Sequence, residues 1–188
     1  MVPRTVQVEI ECNGEPSGGG SAVLLGGNKA LTARHVIDEA EGCSVRLHND
    51  SGVDVRAIKA VLDDEADLAM LTLERALMAP DVTLAQGRLG DHVYVVGYPV
   101  NLTSNEQQLN VTEGVVAAYN YTNGEDRLTA PVYFGNSGGP VFNERGELVG
   151  IAVSIMAARL GGWPLPYDGV ATMVPYGAIR DLMVSCRN

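Results

Sequence analysis

Gly135-Asn136-Ser137-Gly138-Gly139-Pro140 packs three glycines and one serine into six residues. Glycine has no Cβ, so this run can hold a sharp turn that other residues resist. Ser137 is the only side chain of the six with nucleophilic capacity, and the N–H groups of Gly135 and Ser137 can together hold a developing oxyanion. A plain glycine-rich turn is the alternative, so the rest of the chain has to decide. Outward from this run the period is two. Val6, Val8 and Ile10 alternate with polar neighbours, and short apolar runs follow at Ser21–Leu25, Ala30–Ala33, Val45–Leu47, Val53–Ile58 and Leu68–Leu73. The second half repeats the style at Val93–Val96, Gly114–Tyr119, Leu128–Tyr133, Val141–Phe142 and Leu148–Ser154. Turns are expected at Gly26–Lys29, Asn49–Gly52, Asn123–Gly124 and Glu144–Glu147. Glycine makes up 22 of the 188 residues, above the average of about 7%, as many short strands joined by turns require. Only the end changes period: Ile179, Leu182 and Met183 recur at helical spacing after Pro175, predicting a helix over 176–186. The expectation is an all-β chain in two halves, 1–83 and 84–188, with one C-terminal helix.

Chain order narrows the chemistry. The only histidines, His35, His48 and His92, all precede Ser137. A nucleophile elbow of the α/β-hydrolase kind needs its histidine after the serine. A subtilisin-like order of Asp, His, Ser belongs to an alternating α/β chain. What remains is His, Asp, Ser. His48 and His92 sit beside turns and read as solvated surface, whereas His35 ends a predicted strand. Among the acids of Asp63-Asp64-Glu65-Ala66-Asp67, Asp67 opens the apolar strand Leu68–Leu73, where a carboxylate can be drawn inward to meet His35. Asp63 and Asp64 read as loop decoration.

Composition excludes other classes. The net charge of −10 without a Lys/Arg run argues against a nucleic-acid partner. No apolar stretch of about 18 residues exists, so no membrane helix is expected. There is no HExxH and no His/Cys cluster, so no metal is expected. Cys12, Cys43 and Cys186 have no metal-ligand spacing, and an odd count makes no disulfide framework; three free thiols are expected. Residues 1–10 do not read as a signal peptide. The expected location is cytoplasmic or viral, unless a leader has been removed.

Three blocks carry a family likeness. Thr32-Ala33-Arg34-His35-Val36, Asp67-Leu68-Ala69-Met70-Leu71 and Gly135–Pro140 resemble the signature blocks of trypsin-like (chymotrypsin-fold) serine proteases, in the right order. Gly146–Ile151 looks like the strand pair after the nucleophile, and Asp168-Gly169-Val170-Ala171 like the strand lining the specificity pocket. The resemblance implies two antiparallel six-stranded β-barrels with a cleft between them. It implies a serine endopeptidase with His35 as base, Asp67 as its orienting acid, Ser137 as nucleophile, and Gly135 with Ser137 as oxyanion hole. Protein or peptide substrates are implied, with no cofactor, and with regulatory domains or subunits lying outside this sequence.

The departures are informative. Digestive and clotting members carry Asp just before the serine, for an ion pair with a freshly cut N-terminus. Here that residue is Asn136, as is frequent in HtrA-like and viral branches, so no N-terminal cleavage is expected. Trypsins place an acid six residues before the serine, where this chain has Pro131. The pocket is therefore expected to form around Pro131, Val132, Tyr133, Ala152, Val153, Ser154, Ile155, Gly169 and Ala171, and to prefer small or medium apolar residues. No PDZ domain follows the helix, which leaves a stand-alone protease or the protease part of a larger protein. The alternative function is a protease-fold binding module held in an inactive arrangement.

Overall fold

The computed structural model describes residues 4–38, 40–79, 81–100, 107–160 and 163–186, with side chains described outside 154–170. The elements are β1 (Thr5–Cys12), β2 (Glu15–Thr32), α1 (Arg34–Ile37), β3 (Ser44–His48), β4 (Asp54–Leu62) and β5 (Ala69–Leu77) in the first half. The second half holds β6 (His92–Gly97), β7 (Asn110–Thr122), β8 (Glu125–Leu128), β9 (Pro140–Asn143), β10 (Leu148–Leu160), β11 (Trp163–Pro175) and α2 (Tyr176–Ser185). The strands close into two antiparallel barrels, ordered β1-β2-β5-β4-β3 and β10-β11-β8-β7-β6-β9.

The first barrel has six strand arms, because β2 folds back on itself. The Thr32 hydroxyl donates to the Ser21 carbonyl at 2.7 Å although the two are 11 residues apart. An extended strand would separate them by about 36 Å. The reversal falls at Gly26 and Gly27, both at positive φ, where the sequence predicts a turn. The N-terminal arm then pairs with β1 (Thr5↔Val23) and the C-terminal arm with β5 (Thr32↔Ala69).

Alternation produces the two interiors. Val6, Val8, Leu24, Leu31, Leu47, Leu71 and Leu73 fill the first barrel, and Val93, Val95, Val116, Leu128, Val141 and Met173 the second. The α2 side chains Ile179 and Leu182 belong to the first cluster together with Leu25, Met70, Ile151 and Val174. The helix therefore joins residues of both barrels through one apolar contact.

Three expectations are corrected. The chain after Leu128 is a loop, where the sequence predicts a strand to Tyr133. Pro131 has no N–H for a ladder, and the neighbouring peptide groups bond elsewhere, as described below. A short helix, α1, follows the Ala30–Ala33 arm without a period to announce it. Cys12 and Cys43 form a disulfide, with Cα atoms 4.5 Å apart, and Cys186 alone is free. The register explains the pairing: Glu11 lies opposite Ser44 in the antiparallel β1–β3 ladder, so the next residue outward on each strand is a cysteine. An odd count shows only that one thiol is left over.

Candidate active site

Register brings His35 and Asp67 together. Thr32 pairs with Ala69 between β2 and β5. Stepping outward along this antiparallel pair sets Asp67 beside the first turn of α1. There the Asp67 carboxylate takes two hydrogen bonds, from the His35 backbone N–H to Oδ1 at 2.9 Å and at the ring, with Nδ1 2.6 Å from Oδ2. A ring held at Nδ1 presents Nε2 as the free base. The loop before Asp67 is fixed as well: Asp63 Oδ1 accepts from the Glu65 and Ala66 N–H groups, and Arg34 donates to the Asp63 carbonyl at 2.7 Å. Asp63 is thus a turn brace, and Asp64 is exposed.

The electrostatics follow. The Asp67 hydrogen bond holds His35 above its ordinary 6.5; burial opposes this, while the charges of Asp67, Glu125 and Asp38 add to it. Burial pushes the Asp67 carboxyl upward, but the hydrogen bonds and charge of His35 outweigh it and hold the group below 3.8. Glu125 on β8 feels the same centre. Burial raises its carboxyl above the usual range; Thr172 pulls it down, the Asp67 charge pushes it further up, and the His35 charge lowers it least. No sequence signal marked Glu125, because it reaches this field only through barrel packing. His48 lies on β3 near Glu9, and His92 is exposed at the start of β6.

The serine loop is pinned one peptide after another. The Phe134 carbonyl accepts from Val100 N–H at 2.7 Å. The Gly135 carbonyl accepts from the Ser21 hydroxyl at 2.7 Å. The Asn136 carbonyl accepts from Gly139 N–H at 2.8 Å, and the Ser137 carbonyl from Ser21 N–H at 2.8 Å. In a trans peptide the N–H points opposite the carbonyl. The anchored Phe134 and Asn136 carbonyls therefore turn the Gly135 and Ser137 N–H groups the other way, and among the described residues neither N–H has a partner. Asn136 N–H donates to the Tyr133 carbonyl at 2.9 Å, and Gly135 has φ +95°, which makes Tyr133–Asn136 a type II turn. Gly138 is needed for close approach: a Cβ there would lie 2.1 Å from both the Ser21 carbonyl and the Thr32 hydroxyl. The loop thereby presses on the arm that leads, three residues later, into His35. Ser137 Oγ itself donates to the Val153 carbonyl at 3.4 Å.

A family model described as a trypsin-like peptidase domain matches residues 20–151. The chain belongs to the trypsin-like peptidase family. Among curated relatives, a probable periplasmic serine protease do/HhoA-like of Haemophilus influenzae is 32% identical, over 87% of this chain and 35% of the relative. The periplasmic pH-dependent serine endoprotease DegQ of Escherichia coli is 30% identical, over 86% and 38%. The crystal structure of a serine endoprotease from Yersinia pestis superimposes with a TM-score of 0.78 at 26% identity, covering 97% of this chain and 62% of that one. The chain thus spans little more than a third of the length of these curated relatives. The expected cytoplasmic or viral location is overturned: these relatives are named periplasmic, and another, Protease Do-like 2 of Arabidopsis thaliana, chloroplastic.

The residues read as a specificity pocket are distributed unevenly. Val132, Ala152 and Ala171 are buried in the second barrel's core, and Val153 in the first cluster. Pro131 and Tyr133 are exposed. The side chains of Ser154 and Ile155, and the surroundings of Gly169, lie outside the described residues. Sequence reasoning missed Ser21; its only signal is a polar residue opening an apolar run straight after three glycines.

Proposed function

We propose that this chain is a serine endopeptidase that cuts protein substrates through an acyl-enzyme intermediate. His35 Nε2 takes the Ser137 proton as Oγ attacks the scissile carbonyl, then passes it to the leaving amine. Asp67 fixes the ring and stabilises its charged form, and the Gly135 and Ser137 N–H groups hold the oxyanion. Water repeats the sequence to release the acyl group. In this reading residues 1–83 supply base and acid, and residues 84–188 the nucleophile. The observation that carries it is the two-point Asp67–His35 grip, together with a serine loop in which the Gly135 and Ser137 N–H groups have no partner among the described residues.

The finer reading is that no N-terminal cleavage is needed. Asn136 is 1% exposed and its Oδ1 has no hydrogen-bond partner among the described residues. An ionised Asp in that place would be a buried unpaired charge, which costs several kcal/mol. Hydrogen bonds across the barrels already hold the loop. Preference for small or medium apolar residues before the cut is supported by Pro131 standing where trypsins have an acid. The disulfide and the named relatives support an exported, oxidising location.

A fluorophosphonate probe tests the activity. Labelling of the intact chain is expected, and its loss in Ser137→Ala. A folded but unlabelled wild type overturns the reading in favour of a protease-fold binding module, and labelling only after N-terminal trimming overturns the cleavage-free reading. A peptide-library profile dominated by Arg, Lys or Glu before the cut overturns the apolar pocket.

A further inference from the structure

Ser21 makes four hydrogen bonds from a fully buried position in the first barrel, three of them to the second. Its N–H donates to the Ser137 carbonyl at 2.8 Å. Its hydroxyl donates to the Gly135 carbonyl at 2.7 Å and accepts from Tyr98 N–H at 2.8 Å. Its carbonyl accepts from the Thr32 hydroxyl at 2.7 Å. The hydroxyl has a single proton and no choice of direction. Tyr98 N–H can only donate and the Gly135 carbonyl can only accept, so the proton is committed to Gly135. Two of the four consecutive carbonyls that orient the serine loop, those of Gly135 and Ser137, are thereby held by one residue. The same residue is bonded to Thr32, three positions before His35.

Resting on the peptidase reading, we infer that Ser21 is the positioning residue that locks the oxyanion loop against the His35 arm. It does with neutral hydrogen bonds what an N-terminal ion pair does in cleavage-activated relatives. The Gly135 carbonyl and the Gly135 N–H flank the same Cα. The peptide that carries the N–H is itself held at the Phe134 carbonyl by Val100 N–H; releasing the Gly135 carbonyl unpins the next peptide and loosens the Gly135 torsions, so that this one bond no longer keeps the N–H where the oxyanion forms. Removing a donor from an oxyanion hole lowers turnover by about 10²–10³. Ser21→Ala abolishes the hydroxyl bonds to Gly135 and Tyr98 together.

The test is the rate of fluorophosphonate labelling of the whole chain, resolved into kinact and KI at a temperature where thermal melts show each variant folded. Ser21→Ala is expected to lower kinact by about 10² with KI unchanged within twofold. Ser21→Cys, which keeps the volume and a weak donor, is expected to lose about tenfold. Leu47→Ala opens a cavity at a β3 position buried in the first barrel's core. It is expected to lower Tm while leaving kinact unchanged, separating loss of position from loss of stability. Ser21→Ala labelling within threefold of wild type overturns the inference, and so does an equal kinact loss in Leu47→Ala. If Ser21→Ala does not fold, Ser21→Cys decides by the same threefold criterion. A folded wild type that does not label removes the peptidase reading and this inference with it; a labelled wild type with a fully active Ser21→Ala removes this inference alone.

Discussion

Replacing Gly135 by alanine separates the chemistry of the loop from its folding. Gly135 sits at φ +95°, and a Cβ there would lie 2.5 Å from the Tyr98 carbonyl oxygen, 2.9 Å from Val100 N and 3.1 Å from Pro99 Cα. All three are backbone atoms, so no side chain can swing aside. Gly124 provides the comparison: its φ is +79°, but nothing lies within 4 Å of its Cβ position. Left-handed strain of about 1–2 kcal/mol applies to both. At Gly124 that is the whole effect, about 2–8 °C in Tm for a domain of this size, with activity intact. At Gly135 the clash adds to the strain, and the escape is a flip of the Phe134–Gly135 peptide that returns φ to negative values. The flip breaks the 2.7 Å bond from Val100 N–H and turns the Gly135 N–H out of the oxyanion site. Losing that donor lowers kcat by about 10²–10³, or about 2.7–4 kcal/mol of transition-state stabilisation. Fluorogenic peptide hydrolysis and a thermal melt on both variants give the result. If Gly135→Ala keeps kcat within threefold of wild type, the assignment of its N–H as an oxyanion donor is wrong.

Asp67→Asn is expected to lower kcat by about 10⁴, because the ring loses its oriented tautomer. In the wild type, kcat/KM is expected to rise with pH through a midpoint above 6.5, since His35 must be neutral and Asp67 holds its pKa up; in Asp67→Asn the midpoint should fall toward 6.5, and an unmoved midpoint would contradict the pairing. The stability signs differ from the activity signs. The raised His35 contributes fully below 6.5 and loses its contribution as pH climbs through its folded value, while the lowered Asp67 contributes above 3.8 and loses its contribution as pH falls through its own. The pair therefore stabilises most between those values, on the acid side of the activity range, which a Tm series against pH will show. Cys12→Ser opens a loop of sequence separation 31 and is expected to cost about 4 kcal/mol, roughly 8–15 °C in Tm; a Tm within 2 °C of wild type would mean that the bridge does not constrain the unfolded chain.

Much was legible in one dimension because it is local or ordered. Alternation at Val6-Val8-Ile10 and Leu71-Leu73 specifies which strand face turns inward, and Ile179 with Leu182 specifies the apolar side of α2. The glycines around Ser137 specify a turn, and the order His35, Asp67, Ser137 eliminated rival chemistries. The sequence also contained the parts of the disulfide without showing that they meet. Cys12 and Cys43 are neighbours only because Glu11 pairs with Ser44 across the β1–β3 ladder, and register is a non-local property. The loop after Leu128 was misread because its apolar residues resemble a strand until the partners of their peptide groups are known.

The sequence by itself determined the inventory: two β-rich halves, one candidate nucleophile, one histidine at a strand end and an acid at the head of another strand. Tertiary structure decided which groups share a hydrogen bond. It placed Asp67 on both His35 nitrogens that face it, backbone and Nδ1, through the β2–β5 register. It brought Ser21 across 114 residues onto Gly135 and drew Glu125 into the field of the pair. Periodicity reports burial along one chain segment, whereas a catalytic geometry depends on distances between segments, and those are set only when the two barrels close and pack.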